Sequence, residues 1–310
     1  MKNGTSVSAR GGTRRGTRIA AALLLALSVS ATEAAAWASE PTPPTEPDGP
    51  SVGVEVGAGG VGVDVGVGAG AGGGEFASTR GGVTVGGNQV FLGDWETGDF
   101  SQWGVCQSKL VNGGCRGVGR GNANMTITDA PDVRQGQHAA RFTVKPGDVP
   151  NFGGGERSEV QSNAPGALVH EGDERWYEWS VQYPQDMPDV KGRFFIILQW
   201  HSASGSPPLA IDLSKGTVDI GGDGVRSAPR RTIGPIRRGE WVDYVLHVKF
   251  SRNAGTGFVE AWENGQQTVQ RTNRATMVDG ENYLKQGIYR STSSTGTVSL
   301  TMDGLRVTAP

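Results

Sequence analysis

Asn282-Tyr283-Leu284-Lys285-Gln286-Gly287-Ile288-Tyr289-Arg290 reads as a β-strand with two chemically different faces. A period of two sets Tyr283, Lys285, Gly287 and Tyr289 on one side and Leu284 and Ile288 on the other. The second side is apolar enough to close a core, and the first carries two phenols and an ammonium. An antiparallel sheet can leave one face solvated, so this strand alone implies no chemistry. Its weight comes from other stretches that repeat the pattern.

In 193–201, Phe195, Ile197, Gln199 and His201 share a face, with Phe194, Ile196, Leu198 and Trp200 opposite. Such a strand is apolar on both sides until its end, where an amide and an imidazole appear. In 156–161 the face carrying Arg157, Glu159 and Gln161 is wholly polar. In 175–183, Trp176, Glu178, Ser180 and Gln182 lie against Tyr177, Trp179, Val181 and Tyr183. A polar face bearing a tryptophan suits sugar, whose C–H faces stack on rings while its hydroxyls need hydrogen bonds.

Working outward, alternating runs bounded by Gly, Pro, Asn and Asp recur at 125–128, 139–144, 209–213, 218–220, 241–250, 257–263 and 297–307. Helix-period patterns are scarce after residue 88. Many strands with few helices predict an all-β two-sheet sandwich or jelly roll. A first strand near 89–92 and a last near 299–307 bring the ends of that domain together. The acidic turn at 94–98 and Asp303 then become candidates for a structural calcium, through Glu96 and Asp303.

The domain is expected to span 88–310. Before it, residues 1–38 run from a basic segment through an apolar stretch at 19–29 to Ala36-Trp37-Ala38, the layout of a secretory signal peptide. Residues 39–87 shift to Pro/Thr/Glu and then to Gly-Val-Ala repeats, a composition that reads as a flexible linker. The expected location is therefore extracellular. From 88 onward there are 23 Lys and Arg against 24 Asp and Glu, a net charge of −1. That balance argues against nucleic-acid or membrane binding, and the domain is expected to act as a monomer. Arg226, Arg230, Arg231, Arg237 and Arg238 crowd one Gly/Pro-containing stretch that suits an acidic polymer or, equally, a solvated loop. With an export signal upstream, Cys106 and Cys115 are expected to form a short-loop disulfide.

Brought onto one sheet face, Arg157, Gln199, His201, Tyr283, Lys285 and Tyr289 suit β-elimination from a uronate. Removing the proton on C5 concentrates charge beside a carboxylate, so the first task is to neutralise that carboxylate. A base and an acid must follow. A tyrosine can serve as both if its pKa falls below its usual value of about 10, and Lys285 is the nearby cation on its strand. His201 is the competing base. No closely spaced acidic pair of the glycosidase kind occurs, and no Gly-x-Ser-x-Gly. The competing readings are a non-catalytic carbohydrate-binding sandwich and a hydrolase using Glu159 and Glu178.

Arg-Ser-Glu-Val at 157–160, Gln-Trp-His at 199–201 and Tyr-Leu-Lys-Gln-Gly-Ile-Tyr-Arg at 283–290 resemble, in that order, the signature strands of jelly-roll polysaccharide lyases. The resemblance implies a concanavalin-like sandwich with a concave active-site face. It casts Arg157, Gln199 and His201 as carboxylate neutralisers, with His201 also a candidate base. Tyr289 becomes the acid or acid/base, assisted by Lys285. From the polar strand faces and the arginine-crowded loop, Glu159, Tyr283, Trp176, Arg226, Arg230 and Arg231 are the substrate-binding candidates, and the chemistry requires no cofactor. Val160-Gln161, Ile288-Tyr289-Arg290, 95–100 and 261–265 look more like the glucuronan lyase and heparin lyase I group than like alginate lyases. The substrates rank as glucuronan or another unsulfated β-1,4-linked glucuronate polymer first, alginate second and heparin third.

Overall fold

The computed structural model describes residues 78–80 and 83–310. The signal-peptide segment and most of the linker lie outside the described residues. The described chain opens with a hairpin of β1 (Ser78–Arg80) and β2 (Val83–Val85), followed by β3 (Asn88–Gly93), β4 (Val105–Ser108) and β5 (Asn112–Gly114). A single 3₁₀ turn, Cys115–Val118, precedes β6 (Met125–Asp129), β7 (His138–Val144), β8 (Glu156–Ser162), β9 (Val169–His170) and β10 (Glu174–Gln182). Then come β11 (Phe195–His201), β12 (Leu209–Ser214), β13 (Thr217–Gly221), β14 (Arg231–Pro235) and β15 (Trp241–Lys249). The chain ends in β16 (Phe258–Glu263), β17 (Gln266–Asn273), β18 (Glu281–Arg290) and β19 (Val298–Ala309).

These strands form two large antiparallel sheets of a β-jelly-roll sandwich. One runs β17-β16-β15-β10-β19-β7-β6, with β3 also pairing with β19. The other runs β14-β13-β12-β11-β18-β8-β4-β5, with β9 on the leading end of β18. The pairing of β3 with β19, Phe91 opposite Val307, joins the two ends of the domain as the sequence pattern predicts.

Alternation decides which faces meet. Tyr177, Trp179, Val181, Leu246, Val248 and Val259 from the first sheet bury against Val160, Leu198, Trp200, Ile211, Leu284 and Ile288 from the second. Tyr177 meets Trp200 edge-on across the layers, ring centroids 4.7 Å apart. Each such side chain contributes about 1.5–3 kcal/mol when fully buried. A one-residue slip of β18 would put Leu284 and Ile288 outside and Tyr289 and Lys285 inside, so the register is strongly fixed.

Several segments depart from the sequence reading. β14 is an edge strand cut from the arginine-rich stretch, and β17 is a polar edge strand whose one buried residue is Val269. The last part of the expected linker forms the β1–β2 hairpin, with Val85 buried. Cys106 and Cys115 are joined, as expected, and tie β4 to the 3₁₀ turn.

Candidate active site

The second sheet's outer face, away from the sandwich core, gathers the chemistry. β18 lies between β11 and β8, so side chains from all three strands share one surface. Gln199 stands opposite Lys285, which stands opposite Gln161; His201 is opposite Tyr283; Tyr289 is opposite Arg157. Arg157, Glu159, Gln199, His201, Lys285 and Tyr289 expose at most 1% of their surface. Buried charges are seldom a net source of stability, because desolvation offsets their attraction. Withdrawn from water, they act strongly on one another and on anything bound among them.

Glu159 is the hub. Its carboxylate lies 3.0 Å from the Lys285 ammonium and 3.4 Å from an Arg157 nitrogen, and accepts a 2.6 Å hydrogen bond from the Gln199 amide. Two cations and one carboxylate leave this group one net positive charge. Gln199 and Glu159 sit on β11 and β8, roughly 9–10 Å apart across two strand spacings. They meet over β18 because the residue opposite Glu159 is Gly287, which has no side chain to stand between them.

Gly287 also carries a kink. The registers of β11 and β18 shift between Ile196 and Leu198, and Gly287 has φ of +134°, a conformation glycine adopts readily. The shift overturns the simple alternation of 193–201. Ile196 comes opposite Tyr289 and packs with it and Ala210, while Ile197 turns into the core.

The Arg157 guanidinium sits 3.9 Å from the centre of the Tyr289 ring, so this cation, with Lys285 held by Glu159, is the one stacked on the phenol. The Gly155 N–H donates to the Tyr289 hydroxyl at 3.3 Å. A Cβ on Gly155 would fall 2.3 Å from the Arg290 carbonyl oxygen and 2.7 Å from the Tyr289 ring, so only glycine brings this amide so near. His201 Nδ1 lies 2.5 Å from the Ser202 carbonyl oxygen. A carbonyl only accepts, so Nδ1 carries the proton and Nε2 is the basic nitrogen of the neutral ring. The Tyr283 hydroxyl is 3.1 Å from the same Nδ1 and its ring stacks on the imidazole.

Two further amides line this face. Gln107 is opposite Glu159 on β4, and Gln161 is opposite Lys285. Both are buried, with neither amide atom hydrogen-bonded to a described residue. Gln107 escaped the sequence reading because every residue of β4 is buried and no alternation marks it.

Other candidates are placed elsewhere. Trp176 is on β10 in the opposite sheet, stacked on His247 at 3.8 Å, which corrects the expectation that it lines the same surface. Glu178 belongs to that sheet too, bonded to Arg306 at 2.6 Å, so Glu159 and Glu178 do not form a carboxylate pair. Arg230 pairs with Asp212 at 2.7 Å on the β12 side of the site, whereas Arg231 turns to Thr272 of β17. Arg226 is exposed in the connecting loop. Glu96 accepts backbone N–H bonds from Gln137 and His138, and Asp303 from Arg134 and Gln135. These calcium candidates are thus engaged by amide donors. No group of three or more His, Cys, Asp and Glu among the described residues is placed to hold a metal ion.

The endo-β-1,4-glucuronan lyase of the fungus Trichoderma reesei superposes with a TM-score of 0.54 at 18% identity, over 72% of this chain and 96% of that one. The catalytic domain of a glycoside hydrolase family 131 protein from Coprinopsis cinerea gives 0.49 at 15% identity, over 71% and 94%. Alginate lyase A1-II′, of polysaccharide lyase family 7, gives 0.47 at 17% identity, over 71% and 93%. No curated protein sequence matches the chain. At 18% identity, the superposition on the glucuronan lyase speaks for a shared fold. The family model described as polysaccharide lyase matches residues 95–306, nearly the whole sandwich, and so the chain belongs to the polysaccharide lyase family and is a polysaccharide-cleaving lyase.

Proposed function

We propose that the protein is a secreted lyase that cuts a uronic-acid polymer by β-elimination, with an unsulfated β-1,4-glucuronate polymer as first choice, alginate second and a heparin-like chain third. The observation that carries this reading is the convergence of a phenol, an imidazole, a guanidinium and an ammonium from three strands on one sheet face. With the Glu159 carboxylate held between the two cations, the group keeps one net positive charge, which matches one sugar carboxylate.

Arg157 and the remaining N–H of Gln199 neutralise the uronate carboxylate as charge builds beside it. In glucuronate and mannuronate the C5 hydrogen and O4 lie on the same side. Tyr289 then takes the proton as phenolate and returns it to the departing O4, leaving a C4–C5 double bond. The Gly155 amide and the Arg157 guanidinium both favour negative charge on Tyr289. In guluronate or iduronate the two groups lie opposite, and His201 Nε2 is the base. Gln107 and Gln161 offer donors and acceptors for sugar hydroxyls, which supports an unsulfated chain. The glucuronan lyase from Trichoderma reesei shares the fold, which agrees with that order.

The test is a panel of glucuronan, alginate, pectate, hyaluronan and heparin, scored for the near-ultraviolet absorbance of the unsaturated product, with and without chelator. Tyr289→Phe is expected to abolish that absorbance while melting like the parent protein. Reducing ends released without the chromophore, or polymer bound without cleavage, would overturn the reading. Appreciable turnover by Tyr289→Phe would remove that residue from its role.

A further inference from the structure

Beside the catalytic group, on its β12–β13 side, lies a cavity of about 210 Å³ lined in part by Phe194, Ile196, Asp212, Lys215, Asp223 and Arg230. Pockets for whole drug-sized ligands run to ~300–1,000 Å³, so this one is on the scale of a single sugar ring. It abuts the reacting centre, since Ile196 is opposite Tyr289 and the Phe194 ring lies 4.8 Å from the Tyr289 ring. Two apolar side chains therefore connect the cavity to the phenol.

The charged groups here are unevenly committed. The Arg230 side chain is 48% exposed, that of Asp212 only 9%, and one hydrogen bond joins them at 2.7 Å. Four of the five guanidinium N–H donors are left over. Asp223, exposed, approaches Arg230 at 3.8 Å. Asp212 also faces Asp219, its cross-strand partner on β13, which is held by the hydroxyls of Thr217 and Thr232. Arg274 lies beneath, bonded to the carbonyls of Pro208 and Gly221, and Lys215 and Arg193 stand at the rim. On β11 the residue opposite Asp212 is apolar Ile196.

We infer that this cavity binds the carboxylate of a second uronate next to the cleavage position, that Arg230 is the cation that takes it, and that Asp212 competes with the sugar acid for Arg230. The inference rests on the uronate reading above and adds the residue pair that tunes affinity. Burial pushes the Asp212 carboxyl up to about 6, with Asp223 adding to the rise and Arg230 opposing it. Above that pH the carboxylate holds Arg230. Below it Asp212 is neutral and the guanidinium turns to substrate.

The experiment compares the parent protein with Arg230→Ala, Arg230→Lys and Asp212→Asn, measuring kcat and KM for the best polymer of the panel from pH 5 to 8. Binding of a glucuronate tetramer to each variant is measured in a Tyr289→Phe background, where nothing is cleaved. Arg230→Ala is expected to weaken tetramer binding about tenfold, the low end for losing a charge-assisted hydrogen bond. Arg230→Lys recovers part of that loss. Asp212→Asn tightens binding above pH 6 and flattens the rise of KM that the parent shows as pH climbs through 6. Equal binding by Arg230→Ala and its parent, or an Asp212→Asn variant that keeps the parent's pH dependence, would sink the inference. A panel with no elimination product defeats the lyase reading instead, and the tetramer titration still reports on Arg230.

Discussion

Two histidines show how partners, more than residue type, set a role. His247 is wedged between carboxylates, 2.7 Å from Glu260 and 2.8 Å from Glu174, with Trp176 stacked on it. His201 meets a carbonyl and a phenol, which leave its Nε2 basic in the neutral ring. Only the second stands on the sheet face where the Tyr289 phenol, the Arg157 guanidinium and the Lys285 ammonium converge. Glu159 is the sharper case, because its value lies in what it holds. Replacing it by alanine leaves two buried cations without their carboxylate. Removing one partner of a buried ion pair costs about 3–5 kcal/mol. Glu159→Ala should lose roughly that much in urea unfolding, and elimination should fall by ~10² or more as Gln199 and Lys285 lose their anchor. Glu159→Gln keeps an acceptor oxygen and should lose less of both. An alanine variant as stable as its parent would show that Glu159 organises nothing.

At the scale of strands, the turning point is the kink at Gly287. A Cβ there would sit 2.3 Å from the Ser158 carbonyl oxygen, in a backbone conformation that side chains disfavour. Gly287→Ala should cost about 1–3 kcal/mol of strain. It should also separate Glu159 from Gln199, lowering kcat at least tenfold. A variant with parental kcat and melting temperature would deny the glycine both tasks. The same kink marks where sequence pattern stops informing. Alternation found Tyr283, Lys285 and Tyr289 on one face, and Arg157, Gln199 and His201 with them, because one face must be polar when the other closes a core. It placed Ile196 and Ile197 on the wrong sides, since nothing in Phe-Phe-Ile-Ile-Leu announces a register shift. It could say that Trp176 is on a polar face without saying which sheet owns that face. β14 and β17 were missed for another reason: edge strands bury little, so their residues resemble loop.

Across the whole molecule the two sheets divide the work. The second carries the candidate site on its outer face, and the first supplies the opposing wall of the core together with its own outer network of Trp176, His247, Glu174 and Glu260. The β1–β2 hairpin lies against β15 of that first sheet, away from the site. Val85 is 1% exposed, and the Thr308 hydroxyl donates to the Gly86 carbonyl oxygen. Burying a valine contributes about 1.5–3 kcal/mol and a hydrogen bond about 0.5–1.5. A chain beginning at Asn88 should therefore be less stable than one beginning at Ser78 by about 2–4 kcal/mol. For a domain above 200 residues, each kcal/mol moves Tm by about 2–4 °C, so the two should melt some 5–15 °C apart. Their kcat and KM at 25 °C should agree, because the lost hairpin touches neither Tyr289 nor the Arg230 cavity. Calorimetry of the two truncated chains, with product absorbance measured on the same samples, checks both halves. Equal melting temperatures would mean that the hairpin merely rests on the sheet, and unequal kcat would mean that the first sheet reaches the site through the core.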